Sequence, residues 1–212
     1  MKPIETVLFD FGGVFTVSPF SAFDEIGQKL GAKPGQIREI MFGSYHEDGD
    51  HPWHRVERGE ISLESCRQEI LDIARQQHDI QLDIYEIFAA MPRDGGIRNV
   101  LVDRVSSLKQ QGFRRAIITN NVKEFSDGWR SLLPVDELFE LVVDSCEVGL
   151  RKPDPAIFEL TLERMGISDP ATTVFLDDFA GNIEAAKALG MRTVHVGEDI
   201  EQAIAELDRL LA

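Results

Sequence analysis

Cysteine is scarce in this chain of 212 residues, which contains only Cys66 and Cys146. The two lie far apart and form no CxxC pair, so their spacing gives no sign of a thiolate metal site. Neither has the electropositive neighbours that activate a catalytic thiol. We therefore expect two reduced, structural thiols, as is usual in a cytoplasmic protein.

Long apolar runs are also absent from the sequence. None approaches the roughly 20 residues that a helix needs to cross a bilayer. The first residues hold one lysine and an apolar stretch that Asp10 interrupts, which does not fit a signal peptide. We expect a cytoplasmic protein that does not enter the membrane.

Basic residues are few, with 22 Lys and Arg against 37 Asp and Glu, and the formal charge is −15. This charge disfavours nucleic acid and anionic membranes as partners, although a local basic pocket can still bind an anion. Apolar residues make up 43% and charged residues 28%, which is typical of a soluble globular protein. The length suits one domain or a core with a modest insertion.

Short β-rich runs alternate with helical segments over most of the chain. The runs are Glu5–Phe9, Arg115–Ile118, Leu141–Val143, Thr173–Leu176 and Thr193–Val196. Helical patterns cover residues 97–111, 154–165, 180–188 and 199–211. Near-continuous hydrophobicity in the runs is typical of parallel strands buried on both faces. The alternation predicts an α/β fold with a doubly wound, Rossmann-like sheet of five parallel strands.

Residues 18–95 break this alternation. They hold helical patterns around residues 20–31, 34–43, 62–78 and 82–90, and residues 46–52 are predicted to form a polar loop. No convincing strand occurs among them. We predict an α/β core of residues 1–17 and 96–212, with a helical cap of residues 18–95 inserted after the first strand.

Polar side chains follow four of the predicted strands. Asp10 follows the first, Thr119 and Asn120 the second, Lys152 lies in the loop after the third, and the pair Asp177-Asp178 follows the fourth. Each has a simpler explanation as a turn former, a helix cap or a solvated loop residue. Ligands of open α/β sheets nevertheless bind at the carboxyl ends of the strands. Polar side chains at four successive strand ends are improbable as coincidences, so the pattern favours a functional site.

The four segments resemble the motifs of the haloacid dehalogenase-like (HAD) hydrolase superfamily. They are Phe9–Val14, Ile118–Asn121, Lys152–Pro155 and Leu176–Asn182. Their order and spacing match over nearly the whole chain. The chain is most similar to the branch with a helical cap after the first motif, as in the phosphatase domain of soluble epoxide hydrolase.

The resemblance implies a hydrolase of small phosphorylated metabolites. Asp10 would attack phosphorus and form an aspartyl phosphate. Thr119 and Asn120 would hydrogen-bond the phosphoryl oxygens, and Lys152 would neutralise their charge. Phosphoryl transfer depends mostly on positioning and charge neutralisation, so these residue types suit the reaction.

The resemblance also implies bound Mg²⁺. Asp178, with help from Asp177, would hold the ion together with Asp10 and the backbone carbonyl of Gly12. Mg²⁺ prefers oxygen ligands from a few carboxylates and keeps several of its waters. The residues give no basis for predicting an oligomeric state.

Gly12 occupies the position where phosphatases of this family carry a second acid, which protonates the leaving oxygen. General acid–base catalysis typically contributes about 10²–10⁴-fold. We therefore hypothesise an enzyme that is slow or restricted to esters with good leaving groups. Glu57, His54 and His46 lie in the predicted cap and are candidate replacements. The alternative is that they are ordinary loop or helix residues.

Two other functions stay open. Dehalogenases of the same superfamily also lack the second acid and need no metal, but the pair Asp177-Asp178 beside Asp10 is hard to hold without a cation. The other alternative is a non-catalytic module that binds a phosphometabolite. The predicted cap would act as a lid. Its Trp53, His54, Arg55 and Arg58 would contact the leaving group or, alternatively, pack within the cap and pair with acids.

Overall fold

The structure, a computed structural model, describes residues 2–18, 20–44, 46–90 and 96–212. Its strands form one parallel sheet in the order β3-β2-β1-β4-β5. They are β1 Thr6–Phe9, β2 Arg114–Thr119, β3 Leu141–Asp144, β4 Thr173–Asp177 and β5 Arg192–His195. The predicted α/β fold and the five predicted strands are confirmed, each strand end within one residue.

Helices connect the strands and cover both faces of the sheet. Between β1 and β2 lie α1 Phe20–Lys29, α2 Gln36–Phe42, α3 Pro52–Glu57, α4 Leu63–His78, α5 Ile84–Ala90 and α6 Asn99–Gln110. After β2 come α7 Ser126–Arg130, α8 Val135–Leu138, α9 Ser145–Val148, α10 Pro155–Arg164, α11 Ala180–Ala188 and α12 Ile200–Leu211. Short 3-10 helices at Lys123–Phe125 and Pro170–Thr172 complete the described elements.

Alternate residues of β1 enter different hydrophobic clusters. Val7 and Phe9 pack in the cluster that includes residues of α6 and α12, whereas Leu8 packs in the cluster that includes residues of α10 and α11. Burial on both faces explains why the strands are nearly continuous apolar runs. Among the described residues, no helix is both long enough and apolar enough to span a bilayer.

The segment from α1 to α5 has a hydrophobic cluster of its own. Phe23, Ile40, Trp53, Ile70 and Ile87 are among its buried residues. No strand occurs in the described part of this segment, residues 20–44 and 46–90. The predicted boundary at residue 95 lies outside the described residues, as does residue 1.

Helix α3 is absent from the sequence prediction, which placed a polar loop at residues 46–52. The helix begins at Pro52, whose missing N–H suits the first turn. The ring Nδ1 of His51 caps it by accepting from the backbone N–H of Trp53 at 3.2 Å. Six residues are too few to show helical periodicity, and histidine is not among the usual N-cap residues.

Candidate active site

The aspartate that follows β1 lies against a buried lysine. The backbone N–H of Asp10 donates to the carbonyl of Leu176 in β4 at 2.8 Å, so the sheet holds its main chain. Its side chain is buried, and Oδ1 lies 2.7 Å from Nζ of Lys152. The same Nζ lies 2.7 Å from Oδ2 of Asp177, the last residue of β4. Lys152 therefore bridges two strand-end carboxylates.

Donors from the protein hold the carboxylate of Asp177. Its Oδ1 accepts from the backbone N–H of Phe179 at 2.7 Å. The Nδ2 of Asn182 lies 3.1 Å from Oδ1 and 3.0 Å from Oδ2. Asn182 is the last residue of the fourth motif, Leu176–Asn182, but was not a predicted site residue. Its place in the first turn of α11, five residues after Asp177, is the signal that indicates this contact.

Asp178 is the third acid of the cluster. Oxygens of Asp10, Asp177 and Asp178 all lie within 4.8 Å of one another. Gly13 lies directly against Asp178, because a Cβ on Gly13 would come within 2.0 Å of the Oδ2 atom. Gly13 also has a φ of 75°, which favours glycine. The turn after β1 is therefore shaped to let Asp178 approach it.

Burial and mutual repulsion dominate the electrostatics of the cluster. Burial raises the pKa of Asp10 to about 7, with Lys152 opposing the rise and Asp177 adding to it. Burial, followed by the charges of Asp177 and Asp10, raises the pKa of Asp178 to about 7. Burial works to lower the pKa of Lys152, but the acids outweigh it and raise that pKa. One ammonium group does not balance three acids, so a divalent cation fits here.

Thr119 and Asn120 lie at the end of β2. Thr119 is buried, and the pairing of Ile117 with Phe9 places it at the same sheet edge as Asp10. The side chain of Asn120 holds the main chain of Lys152: Oδ1 accepts from its N–H and Nδ2 donates to its carbonyl, both at 2.8 Å. Sequence reasoning missed this role because it joins segments 32 residues apart.

Gly12, the position that lacks an acid, has open space beside it. A Cβ built on Gly12 meets no heavy atom within 4 Å, and its φ is not in the left-handed region. Packing therefore does not require glycine at this position. A Cβ at this position fits without displacing a neighbour.

Two of the three candidates for the missing acid, Glu57 and His54, are hydrogen-bonded to other groups of the protein. Glu57 is buried, and its Oε2 and Oε1 accept from Nε of Arg151 and Nε1 of Trp53, each at 2.8 Å. His54 is also buried, and its Nε2 donates to the carbonyl of Phe42 at 2.8 Å. Burial and, after it, the charge of Arg151 lower the pKa of His54 to about 4. Both side chains are therefore engaged by neighbouring groups of the protein.

His46, the third candidate, lines a cavity together with Asp178. This cavity of about 500 Å³ lies between α2 and the turn before α11. Its walls include Arg38, Phe42, His46, Asp178, Phe179 and His195. The ring of His46 is 5.4 Å from that of Phe179, and Nε2 of His195 donates to the carbonyl of Asp178 at 2.9 Å.

The cluster around α3 adopts the second of its two predicted arrangements. Trp53 packs against the ring of Phe42, with centroids 5.0 Å apart. Arg55 pairs with Glu69 at 3.0 Å, and Arg58 pairs with Asp48 and Glu60. These side chains therefore contact neighbours within the helical segment.

The two cysteines have the properties expected of structural thiols. Cys66 is buried and Cys146 half-buried, and neither forms a disulfide. Burial raises the pKa of both thiols to about 12. A thiol with so high a pKa is a poor nucleophile at neutral pH.

The chain matches the model of one protein family and several curated proteins. The model of the haloacid dehalogenase-like hydrolase family matches residues 4–190. The chain is 32% identical over 214 residues to acyl-CoA dehydrogenase family member 10 of Mus musculus. It is 27% identical over 221 residues to bifunctional epoxide hydrolase 2 of Rattus norvegicus. These matches cover 99% and 98% of this chain but only 19% and 39% of the relatives.

A shorter relative and a solved structure match over most of both chains. A phosphatase of Mycobacterium tuberculosis is 28% identical over 196 residues, which are 89% of this chain and 85% of that protein. The magnesium complex of a HAD family enzyme from Bacteroides thetaiotaomicron is 25% identical, with a TM-score of 0.63. That match covers 96% of this chain and 99% of the other.

Proposed function

Because the chain belongs to the haloacid dehalogenase-like hydrolase family, we propose that it hydrolyses small phosphomonoesters with Mg²⁺, using Asp10 as the nucleophile. Family membership agrees with the resemblance of the four motifs. One observation carries the proposal: Lys152 lies between Asp10 and Asp177, with Asp178 beside them. A nucleophilic carboxylate, a buried ammonium group and a cation site are the parts that phosphoryl transfer requires.

In the proposed reaction a carboxylate oxygen of Asp10 attacks phosphorus. An O–P bond forms, the bond to the leaving oxygen breaks, and the phosphoryl group stays on Asp10 as a mixed anhydride. Lys152 neutralises the charge on the phosphoryl oxygens, and the hydroxyl of Thr119 donates to one of them. Because the amide of Asn120 is held by Lys152, Asn120 would contribute its backbone N–H. Water then cleaves the anhydride, releases phosphate and restores Asp10.

Asp10, Asp178 and the backbone carbonyl of Gly12 would hold the Mg²⁺. When bound, the ion neutralises the acids and the developing phosphoryl charge. Asp177 is not one of the metal ligands in this proposal. Its oxygens already accept from Lys152, Asn182 and the N–H of Phe179, so it would support the site by holding the lysine.

The helical segment of residues 18–95 would act as the cap. The cavity lined by Arg38, Phe42 and His46 on one side and by Asp178 and Phe179 on the other would take the leaving group of a small phosphorylated metabolite. Gly12 offers no proton to that leaving group. We therefore propose slow turnover of alkyl phosphates and faster turnover of esters with good leaving groups, such as glycosyl 1-phosphates, acyl phosphates or aryl phosphates.

A panel of phosphomonoesters and 2-haloacids, each with and without Mg²⁺, tests the proposal. Phosphate release that chelation abolishes is expected from the wild type and not from Asp10→Asn. Asp199→Asn is the matched control, because Asp199 also follows a strand and its N-cap contacts suit asparagine equally well.

Other outcomes of the panel would refute the phosphatase. Halide release that persists in a chelator would identify a metal-independent dehalogenase. Silence on both substrate classes, together with binding of inorganic phosphate, would identify a binding module. Full activity of Asp10→Asn on phosphate esters would exclude Asp10 as the nucleophile.

A further inference from the structure

Arg151 and Lys152 are neighbours in the chain whose side chains bind different acids. Lys152 reaches the strand-end carboxylates of Asp10 and Asp177. Arg151 reaches Glu57 at the end of α3, with Nε 2.8 Å from Oε2, and Nη1 lies 3.3 Å from Oδ1 of Asp48. The dipeptide thus joins the sheet edge to the helical segment.

The Arg151–Glu57 pair is buried. Arg151 is 0% exposed and Glu57 is 3% exposed. Moving two charges out of water is costly, and the cost is offset only where the geometry is good and other polar groups contribute. Trp53 donates to the second oxygen of Glu57 at 2.8 Å. Removing either partner would deprive the other buried charge of this ion pair, so each side chain constrains the position of the other.

The main chain between the two cations is fixed as well. The side chain of Asn120 bonds both the N–H and the carbonyl of Lys152. The carbonyl of Arg151 accepts from the N–H of Asp154 at 3.0 Å. Arg151 therefore links the end of α3 to the backbone segment that carries the lysine.

Close packing of α3 against the sheet side supports this connection. Just after α3, a Cβ on Gly59 would come within 2.6 Å of the carbonyl oxygen of Cys146 in α9. The N–H of Leu63, at the start of α4, donates to Oε1 of Glu124 at 2.8 Å. Helix α3 is thus seated beside the segment that leads to Arg151.

We propose that Glu57 is a positioning residue for Lys152: through Arg151 it fixes the loop that carries the lysine. The catalytic part of this inference rests on the proposed phosphatase function, in which Lys152 neutralises phosphoryl charge. Glu57 itself touches no substrate in this proposal. The cap would then contribute to catalysis by holding a group of the core, in addition to covering the site.

The test compares Glu57→Gln with Glu69→Gln. Glu69 forms an ion pair of similar length with Arg55 of the same helix α3, but that pair lies within the helical segment. Amide hydrogen exchange of residues 149–154 is measured first, because it needs no turnover. Glu57→Gln is expected to speed exchange in these residues, and Glu69→Gln is expected to leave it unchanged. Unchanged exchange in Glu57→Gln would overturn the proposal.

Kinetics on the most reactive ester of the panel are measured next, at saturating Mg²⁺. Because small displacements of a catalytic group can cost up to about 10²-fold, kcat of Glu57→Gln should fall by about tenfold or more. A loss confined to KM would instead indicate that Glu57 acts on substrate binding, and unchanged kcat would reduce the pair to a purely structural role. Either result would refute positioning.

The double variant Glu57→Gln/Arg151→Gln separates positioning from stability. Removing one partner leaves a buried charge unpaired, whereas removing both is often tolerated. Asp48 keeps Arg58 in the double variant. We expect the double variant to regain thermal stability but not kcat, and recovery of both would refute the proposal. If the wild type hydrolyses no ester, the proposed function fails, and the exchange data still decide whether Glu57 fixes the loop.

Discussion

Replacing Gly12 with aspartate should supply a proton donor at a position of the proposed active site that has none. A Cβ at Gly12 meets no heavy atom within 4 Å, and the backbone does not need glycine there. Substitution of a glycine at such a site typically changes stability by less than about 1 kcal/mol. Gly13 is the contrast, since its Cβ would overlap Asp178. The variant should therefore fold and bind Mg²⁺.

The expected gain depends on the leaving group. A positioned general acid typically contributes about 10²–10⁴-fold, and only where the leaving oxygen needs a proton. For Gly12→Asp we expect kcat on simple alkyl phosphates to rise by about 10²-fold, the lower end of that range, because the remainder of the site is not adapted to a fourth carboxylate. On aryl phosphates kcat should change little.

The assay is a series of phosphate esters with increasingly poor leaving groups, measured at saturating Mg²⁺. Wild-type kcat should fall steeply along the series, and Gly12→Asp should flatten the fall. Gly12→Asn is the matched control, because it has the same size and no acid. Equal gains from both variants, or a wild-type enzyme that hydrolyses alkyl and aryl esters equally fast, would refute the reasoning about Gly12.

Three further predictions concern the charged cluster. Lys152→Gln should abolish hydrolysis and lower the melting temperature in a chelator, because it leaves Asp10 beside Asp177 without a cation; retained kcat would contradict this. Gly13→Ala should raise the Mg²⁺ concentration needed for half-maximal activity, because its Cβ would displace Asp178; an unchanged requirement would place the cation elsewhere. In a chelator, Asp10 and Asp178 have pKa values of about 7 in the folded protein, against about 4 in the unfolded chain. Between about pH 4 and about pH 7 the native protein therefore binds more protons than the unfolded chain does. The melting temperature should then fall as pH rises from about 4 to about 7, and Mg²⁺ should stabilise the protein more at pH 8 than at pH 5; an equal Mg²⁺ effect at both pH values would argue against a metal at these acids.

The sheet could be predicted because its pattern is local. Each strand is a short apolar run that is buried on both faces, so the sequence marks it directly. Helices α10, α11 and α12 could be predicted for the same reason, because their apolar residues recur at helical spacing. Helix α3 was missed since six residues starting at Pro52 carry too little pattern. The short helices α7, α8 and α9 were missed for the same reason.

The candidate site was predictable where a residue's position along its own strand decides its place. Asp10, Thr119 and Asp177 are strand-end residues, and parallel strands bring their carboxyl ends to one edge. The contacts of Glu57, Asn120 and Arg151 were not predictable in this way. They join segments that are 94 residues apart for Glu57 and Arg151, and 32 apart for Asn120 and Lys152. Only the folded chain determines such pairings.

The contacts of Glu57 also lead to a prediction about the leaving group. Both oxygens of the Glu57 carboxylate accept hydrogen bonds, one from Arg151 and one from Trp53, so acid catalysis would require Glu57 to leave the contacts through which it would position Lys152. If Glu57 positions Lys152, Glu57→Gln should lower kcat by the same factor on every ester of the series. If Glu57 were the missing acid, the loss should be largest on the poorest leaving groups.

The two outcomes are separated by the slope of log kcat against the pKa of the leaving group. Parallel lines for wild type and Glu57→Gln are expected, because Lys152 acts on phosphoryl oxygens, whose charge is common to all the esters. A steeper line for Glu57→Gln would assign the proton to Glu57 and would remove the need for Gly12→Asp. The slope of log kcat against the leaving-group pKa therefore distinguishes a cap that positions a lysine from a cap that supplies an acid.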